Sequence, residues 1–116
     1  MKKVYFTLTG TKHYFGNDFP KKGMKIYLEK EPENEHDKEA IQVKMDPFGK
    51  IGYVANSPYT VLGETMSAGR IYDRIGDTAV AKVIHVTERG TICRVCKKSL
   101  NQFKEMPMTP ILNENS

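Results

Sequence analysis

Six short segments of alternating apolar and polar residues constrain the fold of this chain more than any other feature. In residues 4–10, Val4, Phe6 and Leu8 fall on one side of an extended chain and the residues between them on the other. A period of two residues is typical of a β-strand with one face in the core. The other five segments lie at residues 24–30, 40–45, 50–55, 78–86 and 91–98. The chain is therefore expected to be mainly β.

Helical signals are sparse by comparison. Ser57 followed by Pro58 is typical of a helix N-cap with proline at the first helical position. Apolar residues then recur at helical spacing until Gly69, which is expected to end the helix. About six strands with one or two short helices predict a small, partly open β-barrel.

The length of the chain leaves room for one domain. A second independent core could not bury enough surface within 116 residues. Beyond Lys98 the sequence has two prolines and no sustained period. We expect a barrel domain at residues 1–98 and a C-terminal tail at residues 99–116, which is loose or packs on the barrel or a neighbouring subunit.

Membrane and secretion signals are weak. The apolar run near the N-terminus is broken by Thr7 and Thr9, whereas a signal peptide needs roughly 7–15 apolar residues. No run reaches the roughly 18 apolar residues of a membrane span. The sequence predicts no membrane association, and the cytoplasm is the expected location.

Two cysteines, Cys93 and Cys96, form a single C-x-x-C motif. A structural zinc site needs four ligands, and His85 alone cannot complete the set. The motif also lies in a predicted strand, whereas redox motifs place the first cysteine at a helix N-terminus. We expect two reduced thiols, and neither a metal nor another cofactor.

The charge of the chain is unevenly distributed. Lys and Arg exceed Asp and Glu by 18 to 14, yet five of the nine residues 31–39 are acidic. A basic excess favours anionic partners such as nucleic acid. The acidic stretch is either a solvated loop or a place where one carboxylate contacts a ligand that the lysines attract.

Three stretches in order, FTLTGTKHYFG, YLEKEPENEHDKEAIQV and KIGYVANS, carry a resemblance to a known family. Their most specific positions are Glu31-Pro32, Asn34, Asp37, Ala40-Ile41, Val43 and Ile51-Gly52-Tyr53-Val54. In this order they resemble the HIRAN domain, a module of certain eukaryotic fork-remodelling ATPases that also occurs in bacteria. The resemblance runs from residue 4 to about residue 95, and we expect a stand-alone bacterial member.

The resemblance implies an OB-like β-barrel that binds single-stranded DNA, in one studied member at a free 3′ end. His13 falls where that binder has a basic residue against phosphate, and Tyr14 matches an aromatic that stacks on a base. His36 replaces a second aromatic, and Asp37 matches the acid that accepts a hydrogen bond from the terminal 3′-hydroxyl. Asn56 falls where the binder has a lysine. Three of the five positions therefore differ from the family pattern in residue type.

Asp37 has two possible roles. Its carboxylate can accept a hydrogen bond from a free 3′-hydroxyl, whereas it repels an internal phosphodiester. It can also cap the turn by accepting from backbone N–H groups. Both roles can hold together, while Glu33, Glu35 and Glu39 are expected to form a solvated face.

Other loop residues have the chemistry of an electrostatic track. Lys12 and Lys38 lie in the same two loops as the candidate histidines and can attract phosphates. Tyr14 and Phe15 are adjacent, so one ring can face a base while the other packs inward, or both can close one end of the barrel.

No catalytic motif stands out. The histidines and acids show neither H-E-x-x-H nor G-x-S-x-G spacing, so the chain is expected not to be an enzyme. The resemblance implies that it binds DNA at free 3′ ends or at stalled or damaged forks in DNA repair, with a helicase or nuclease acting in trans. The alternative is a protein-interaction module that acts through an exposed sheet edge or the tail.

Overall fold

The computed structural model describes residues 3–11 and 20–101. All six predicted strands are present, and each matches its expected bounds within two residues except the last, which ends at Val95. The elements are β1 (Tyr5–Thr9), β2 (Lys25–Lys30), β3 (Ile41–Met45), β4 (Gly49–Val54), α1 (Ala68–Ile71), a 3₁₀ turn at Tyr72–Arg74, β5 (Thr78–Thr87), β6 (Gly90–Val95) and a second 3₁₀ turn at Lys97–Ser99.

The six strands form one closed antiparallel barrel in the order β1-β4-β3-β2-β5-β6. The mainly β, barrel-type prediction is confirmed, and the barrel is closed where a partly open one was expected. Closure depends on β1, which pairs with β6 over Tyr5–Leu8 and with β4 only at Leu8 and Thr9.

The barrel interior is filled by the apolar residues of the alternating segments. Phe6, Leu8, Ile26, Leu28 and Ile41 are all at most 1 % exposed. The C-x-x-C motif contributes Cys93 to this core, while Cys96 lies half-buried just beyond β6. Interior packing of this kind is the main favourable contribution to the stability of a small barrel.

The predicted helix from Ser57 to Gly69 is wrong. Ser57 does begin a single turn, because its carbonyl accepts from the N–H groups of Thr60 and Val61, both at 2.9 Å. The chain then leaves the helical path and runs along β1, where the N–H of Met66 donates to the carbonyl of Tyr5 at 2.8 Å.

This segment does not become helical because it covers the part of β1 that β4 does not reach. Unpaired strand N–H and C=O groups must be satisfied when they are buried. The hydroxyl of Thr7, fully buried, accepts from the N–H of Leu62 at 3.1 Å and lies 2.8 Å from the hydroxyl of Thr65. Tertiary hydrogen bonds thus override the local helical signal.

The actual helix, α1, begins ten residues later than predicted. Its N-cap is Ser67, whose side chain accepts from the N–H of Arg70 at 3.3 Å. Gly69 lies inside the helix instead of ending it, and the carboxylate of Glu39 occupies the place that a side chain at Gly69 would take. The helix therefore packs closely against the loop between β2 and β3.

The residues after β6 remain in contact with the barrel. The hydroxyl of Ser99 accepts from the N–H of Val80 at 2.9 Å, and Leu100 forms a bridge to Ile75. The N–H of Asn101 donates to the carbonyl of Arg74 at 2.7 Å. The rest of the predicted tail, residues 102–116, lies outside the described residues.

Candidate nucleic-acid interface

The acidic stretch forms a loop at residues 31–40 that is closed at its base. The N–H of Glu31 donates to the carbonyl of Ala40 at 2.9 Å. Inside the loop, the side-chain oxygen of Asn34 accepts from the N–H groups of His36 and Asp37, at 2.8 and 2.9 Å. This side-chain-to-backbone bonding is the Asx-turn chemistry that asparagine favours. It fixes the backbone on which His36 and Asp37 sit.

Asp37 is held at both carboxylate oxygens. Oδ1 accepts from the N–H of Glu39 at 2.9 Å, and Oδ2 accepts from the side-chain amide of Asn56 at 2.8 Å. The oxygen of that amide accepts in turn from the N–H of Gly69 at 2.8 Å. Asp37 therefore caps its turn and also connects the loop to the end of β4 and to α1.

The carboxylate of Asp37 keeps the capacity for another donor. An ionised carboxylate has about four lone-pair positions, and the described residues occupy two of them. The residue is half-buried, so part of it faces solvent. The turn-capping role is present, and it leaves room for a ligand hydroxyl.

The predicted site residues divide into two groups. His36 and Lys38 are exposed on the 31–40 loop, and Asn56 is half-buried beside Asp37. Lys12, His13 and Tyr14 lie outside the described residues. They follow β1 in the chain, and Thr9 at the end of β1 is paired with Tyr53 of β4.

Tyr53 links that strand pair to the 31–40 loop through a charged cluster. Its hydroxyl donates to Glu31 at 3.1 Å and accepts from the Lys50 ammonium at 2.8 Å. Lys50 also forms an ion pair with Glu31 at 3.1 Å. We call Glu31, Lys50 and Tyr53 the loop-base cluster. It fastens the base of the loop to β4.

The pKa values of the loop-base cluster follow from these contacts. Burial alone would raise the pKa of Glu31, but hydrogen bonds from Asn34, Lys50 and Tyr53 outweigh it and lower that pKa below its ordinary value. The pKa of Lys50 is raised, first by the hydrogen bond to Tyr53 and then by Glu31, despite the opposing effect of burial. Both groups are therefore charged at neutral pH.

The comparisons with known proteins identify the family. The family model of the HIRAN domain matches residues 1–91, most of the 116-residue chain. The chain belongs to the HIRAN domain family. No curated protein and no solved structure matches it. The HIRAN domain family is known for DNA binding.

The sequence did not reveal the loop-base cluster of this HIRAN domain, because β4 contains a bulge. Val43 pairs with Gly52 and Lys44 with Lys50, so Ile51 is an extra residue in β4. A bulge of one residue reverses the alternation beyond it. Strict alternation places Lys50 and Tyr53 on opposite faces, whereas the bulge brings their side chains together.

Tyr59 is a second feature that the sequence did not reveal. Its side chain is 92 % exposed, the most exposed large hydrophobic residue of the described chain. It follows Asn56 by three residues and lies in the turn that the Ser57 hydroxyl stabilises. The exposure of Tyr59 was not predicted, because a helix was expected at this position. The available signal was an aromatic residue directly after Ser-Pro. An exposed ring of this kind is a platform on which a base can stack.

Replacement of Tyr53 by phenylalanine is expected to raise the pKa of Glu31 toward its ordinary value. The ionised Glu31 stabilises the fold at pH values above its unfolded-state pKa of about 4.3. That stability is lost as the pH falls through the lower folded-state pKa. The variant should therefore lose stability at neutral pH and show a weaker dependence of stability on pH in the acidic range.

Carboxyl NMR titration of Glu31 and unfolding between acidic and neutral pH check this expectation. Tyr27→Phe is the matched control, because the Tyr27 hydroxyl makes no hydrogen bond with the described residues. An unchanged Glu31 midpoint in Tyr53→Phe would show that Tyr53 does not set the pKa of the cluster.

The remaining titratable residues do not assemble into a metal or nucleophile site within residues 3–11 and 20–101. No three His, Cys, Asp or Glu side chains in these ranges converge to hold a metal ion. Burial raises the pKa of Cys93 to about 12, so its thiol stays protonated at neutral pH and is a poor nucleophile. In the same ranges, no helix is long and apolar enough to span a bilayer.

Proposed function

We propose that this HIRAN domain is a non-catalytic module that binds single-stranded DNA and selects free 3′ ends through Asp37. The observation that carries the proposal is the geometry of Asp37. Its carboxylate is fixed by Glu39 and Asn56, half-exposed, and still able to accept a hydrogen bond. A fixed acceptor binds a ligand hydroxyl without first being ordered.

Selection of ends follows from charge. A free 3′ end offers a hydroxyl donor, which a carboxylate accepts in a strong charge-assisted hydrogen bond. An internal position or a 3′-phosphate offers only negatively charged oxygens, which the same carboxylate repels. One acid within an otherwise basic surface therefore distinguishes an end from the interior of a strand.

Binding strength in this proposal comes from basic and aromatic residues other than Asp37. Lys38 and His36 are exposed on the same loop, and the family resemblance adds Lys12 and His13. Lysine and histidine side chains donate to phosphates and give an affinity that does not depend on sequence. Tyr14 supplies a base-stacking ring in this proposal.

Tyr59 can take the role of the second aromatic of the family pattern, whose place in this chain is occupied by His36. Asn56 stands where the family binder has a lysine, and both ends of its amide are engaged, the NH₂ by Asp37 and the oxygen by Gly69. In this chain Asn56 positions the acid instead of contacting phosphate. A base that stacks on the exposed ring of Tyr59 adds to the affinity in this proposal.

The proposal includes the organisation of the whole chain. The domain occupies residues 1–98, and residues 99–116 form a C-terminal tail. The module has no catalytic function of its own, so a helicase or nuclease acts on the DNA in trans. The site of action in this proposal is the cytoplasm, and the process is DNA repair. Stalled or damaged forks, which contain free ends, are its targets.

Protein binding through a sheet edge is less well supported by this fold. All six strands of the described barrel are paired on both sides, and closure removes the free edge that β-augmentation needs. The remaining protein-binding route is the C-terminal tail.

The salt dependence of binding tests the proposed function. Affinity for a fluorescent single strand of about 12 nucleotides is expected to fall steeply with salt, by about 0.7 in log K per log salt for each phosphate contact. Fluorescence anisotropy between low and physiological salt measures this slope. If the protein shows no binding to the strand at low salt, the proposed function is wrong and a protein partner replaces it.

A further inference from the structure

A row of cations crosses three neighbouring strands on the outer surface of the barrel. Tyr5 of β1 is paired with Arg94 of β6, Arg94 with Lys82 of β5, and Lys82 with Lys25 of β2. Directly paired residues place their side chains on the same face of a sheet. We call Lys25, Lys82 and Arg94 the basic row.

A pocket of about 340 Å³ lies at one end of the basic row. Four of its seven lining residues are cations: Lys3, Lys82, Arg94 and Lys97. None of the seven is acidic, so the pocket is a concentration of positive charge. Such a site attracts an anion more strongly than isolated surface lysines do.

The basic row is not neutralised from within the described chain. Lys3, Lys25, Lys82 and Arg94 have no carboxylate of residues 3–11 or 20–101 within ion-pair distance. Like charges that face each other across strands are destabilising. By contrast, Lys44 of β3 and Lys50 of β4 are both paired with glutamates. Three adjacent unpaired cations are therefore better explained by an external anion than by folding.

The centre of the basic row lies across the barrel from β4, the strand to which the 31–40 loop is fastened. In the closed ring, β5 is three strands from β4, and β6 is three strands from β3. The loop-base cluster is fastened to β4. A ligand at the basic row therefore does not use Asp37 or its neighbours.

We propose that the basic row and its pocket form a second binding site, which holds backbone phosphates of a single-stranded nucleic acid. For the class of ligand, this proposal rests on the proposed function. It adds a second surface on which the module contacts the nucleic acid. Neighbouring strands are about 4.8 Å apart, so the row spans roughly 10 Å and can contact more than one phosphate. Half-buried Tyr5 and Tyr27 flank it and offer ring surface for bases.

Two glutamine substitutions, Lys82→Gln with Arg94→Gln, test the site. The control is Lys44→Gln with Arg89→Gln, which changes the net charge equally but lies outside the basic row. The probe is a strand of about 12 thymidines with a 3′-phosphate, which disfavours binding at Asp37. The unfolding temperature of the double variant is expected to be unchanged or higher, since two like charges no longer face each other.

Anisotropy and amide NMR of the full chain give the expected results. The double variant should bind the blocked strand about tenfold more weakly or worse, with a salt slope smaller by about 1.4. The control should keep the wild-type slope. In the wild type, the blocked strand should shift the amide signals of Tyr5, Lys82 and Arg94, and an Asp37→Asn variant should show the same shifts.

Other outcomes overturn the proposal in distinguishable ways. If only amides of the 31–40 loop shift and the double variant matches the control, the second site is wrong and the proposed function stands. If no amide shifts and no strand binds, both are wrong. A matched uridine RNA strand should bind the basic row with similar affinity, because the proposed contacts are to phosphates and base faces, which both strands offer. An acidic peptide that shifts these amides when neither strand does would replace nucleic acid as the ligand and overturn the proposal.

Discussion

Replacement of Gly52 by alanine is expected to destabilise the barrel by about 3 kcal/mol. A Cβ at this position would lie 2.5 Å from the carbonyl oxygen of Thr9 and 2.9 Å from Cδ1 of Leu8. The first of these is a backbone atom at the only place where β1 pairs with β4. Relief of the clash would have to separate the two strands that close the barrel.

Thermal unfolding measures this effect. A loss of 3 kcal/mol corresponds to a lowering of the unfolding temperature by roughly 12–24 °C in a domain of this size. Gly76→Ala is the matched control, because a Cβ there would have 3.9 Å of space to its nearest neighbour. Equal unfolding temperatures for the two variants would show that the close contact of β1 and β4 is not essential to closure.

Replacement of Asp37 by asparagine is expected to abolish the preference for 3′-hydroxyl over 3′-phosphate ends. A hydrogen bond to a charged group contributes about 1.5–3 kcal/mol, so the ratio of the two affinities should fall by about tenfold or more. Asparagine can keep the oxygen that accepts from the N–H of Glu39, which preserves the turn better than alanine would. Total affinity should change less, because phosphate contacts supply much of it.

Two controls separate end selection from general binding. Glu35→Gln removes the same charge from an exposed position of the same loop and should leave the ratio unchanged. Tyr59→Ala should weaken both ends alike by about 1–3 kcal/mol through the loss of a stacked base. If Asp37→Asn remains folded and keeps the wild-type ratio, Asp37 only caps its turn.

The sequence predicted the strands well because burial enforces their pattern. Each strand of a small barrel has one face in the core, so alternation is visible in residues such as Ile26 and Leu28. The turn at residues 46–50 was equally clear from Pro47 and Gly49, and the turn into β6 from Arg89-Gly90. Closure was harder to foresee, because it depends on two residue pairs between β1 and β4.

The helix was placed wrongly because local signals compete with tertiary contacts. Ser57-Pro58 and Ser67 both have N-cap chemistry, and only the second begins a helix. Between them, Met66 and Leu62 are held by β1 through Tyr5 and Thr7. Such contacts join residues more than fifty positions apart, and no local pattern reveals them.

The candidate site was predictable only where chemistry is local. The resemblance to the HIRAN domain singled out Asp37 among the acids of its loop, and the turn cap that local chemistry offers an aspartate there is present. The partnership of Lys50 with Tyr53 depends on a bulge, and the basic row depends on cross-strand register. Both require knowledge of which residues face each other.

The affinity of the wild-type protein for one strand with two different 3′ ends tests the proposed function most directly. The two strands are identical except that one carries a 3′-hydroxyl and the other a 3′-phosphate, and binding is measured by anisotropy at the same low salt concentration. The hydroxyl strand is expected to bind at least about tenfold more tightly. Equal affinities, or tighter binding of the phosphate strand, would contradict the selection of free 3′ ends by this domain.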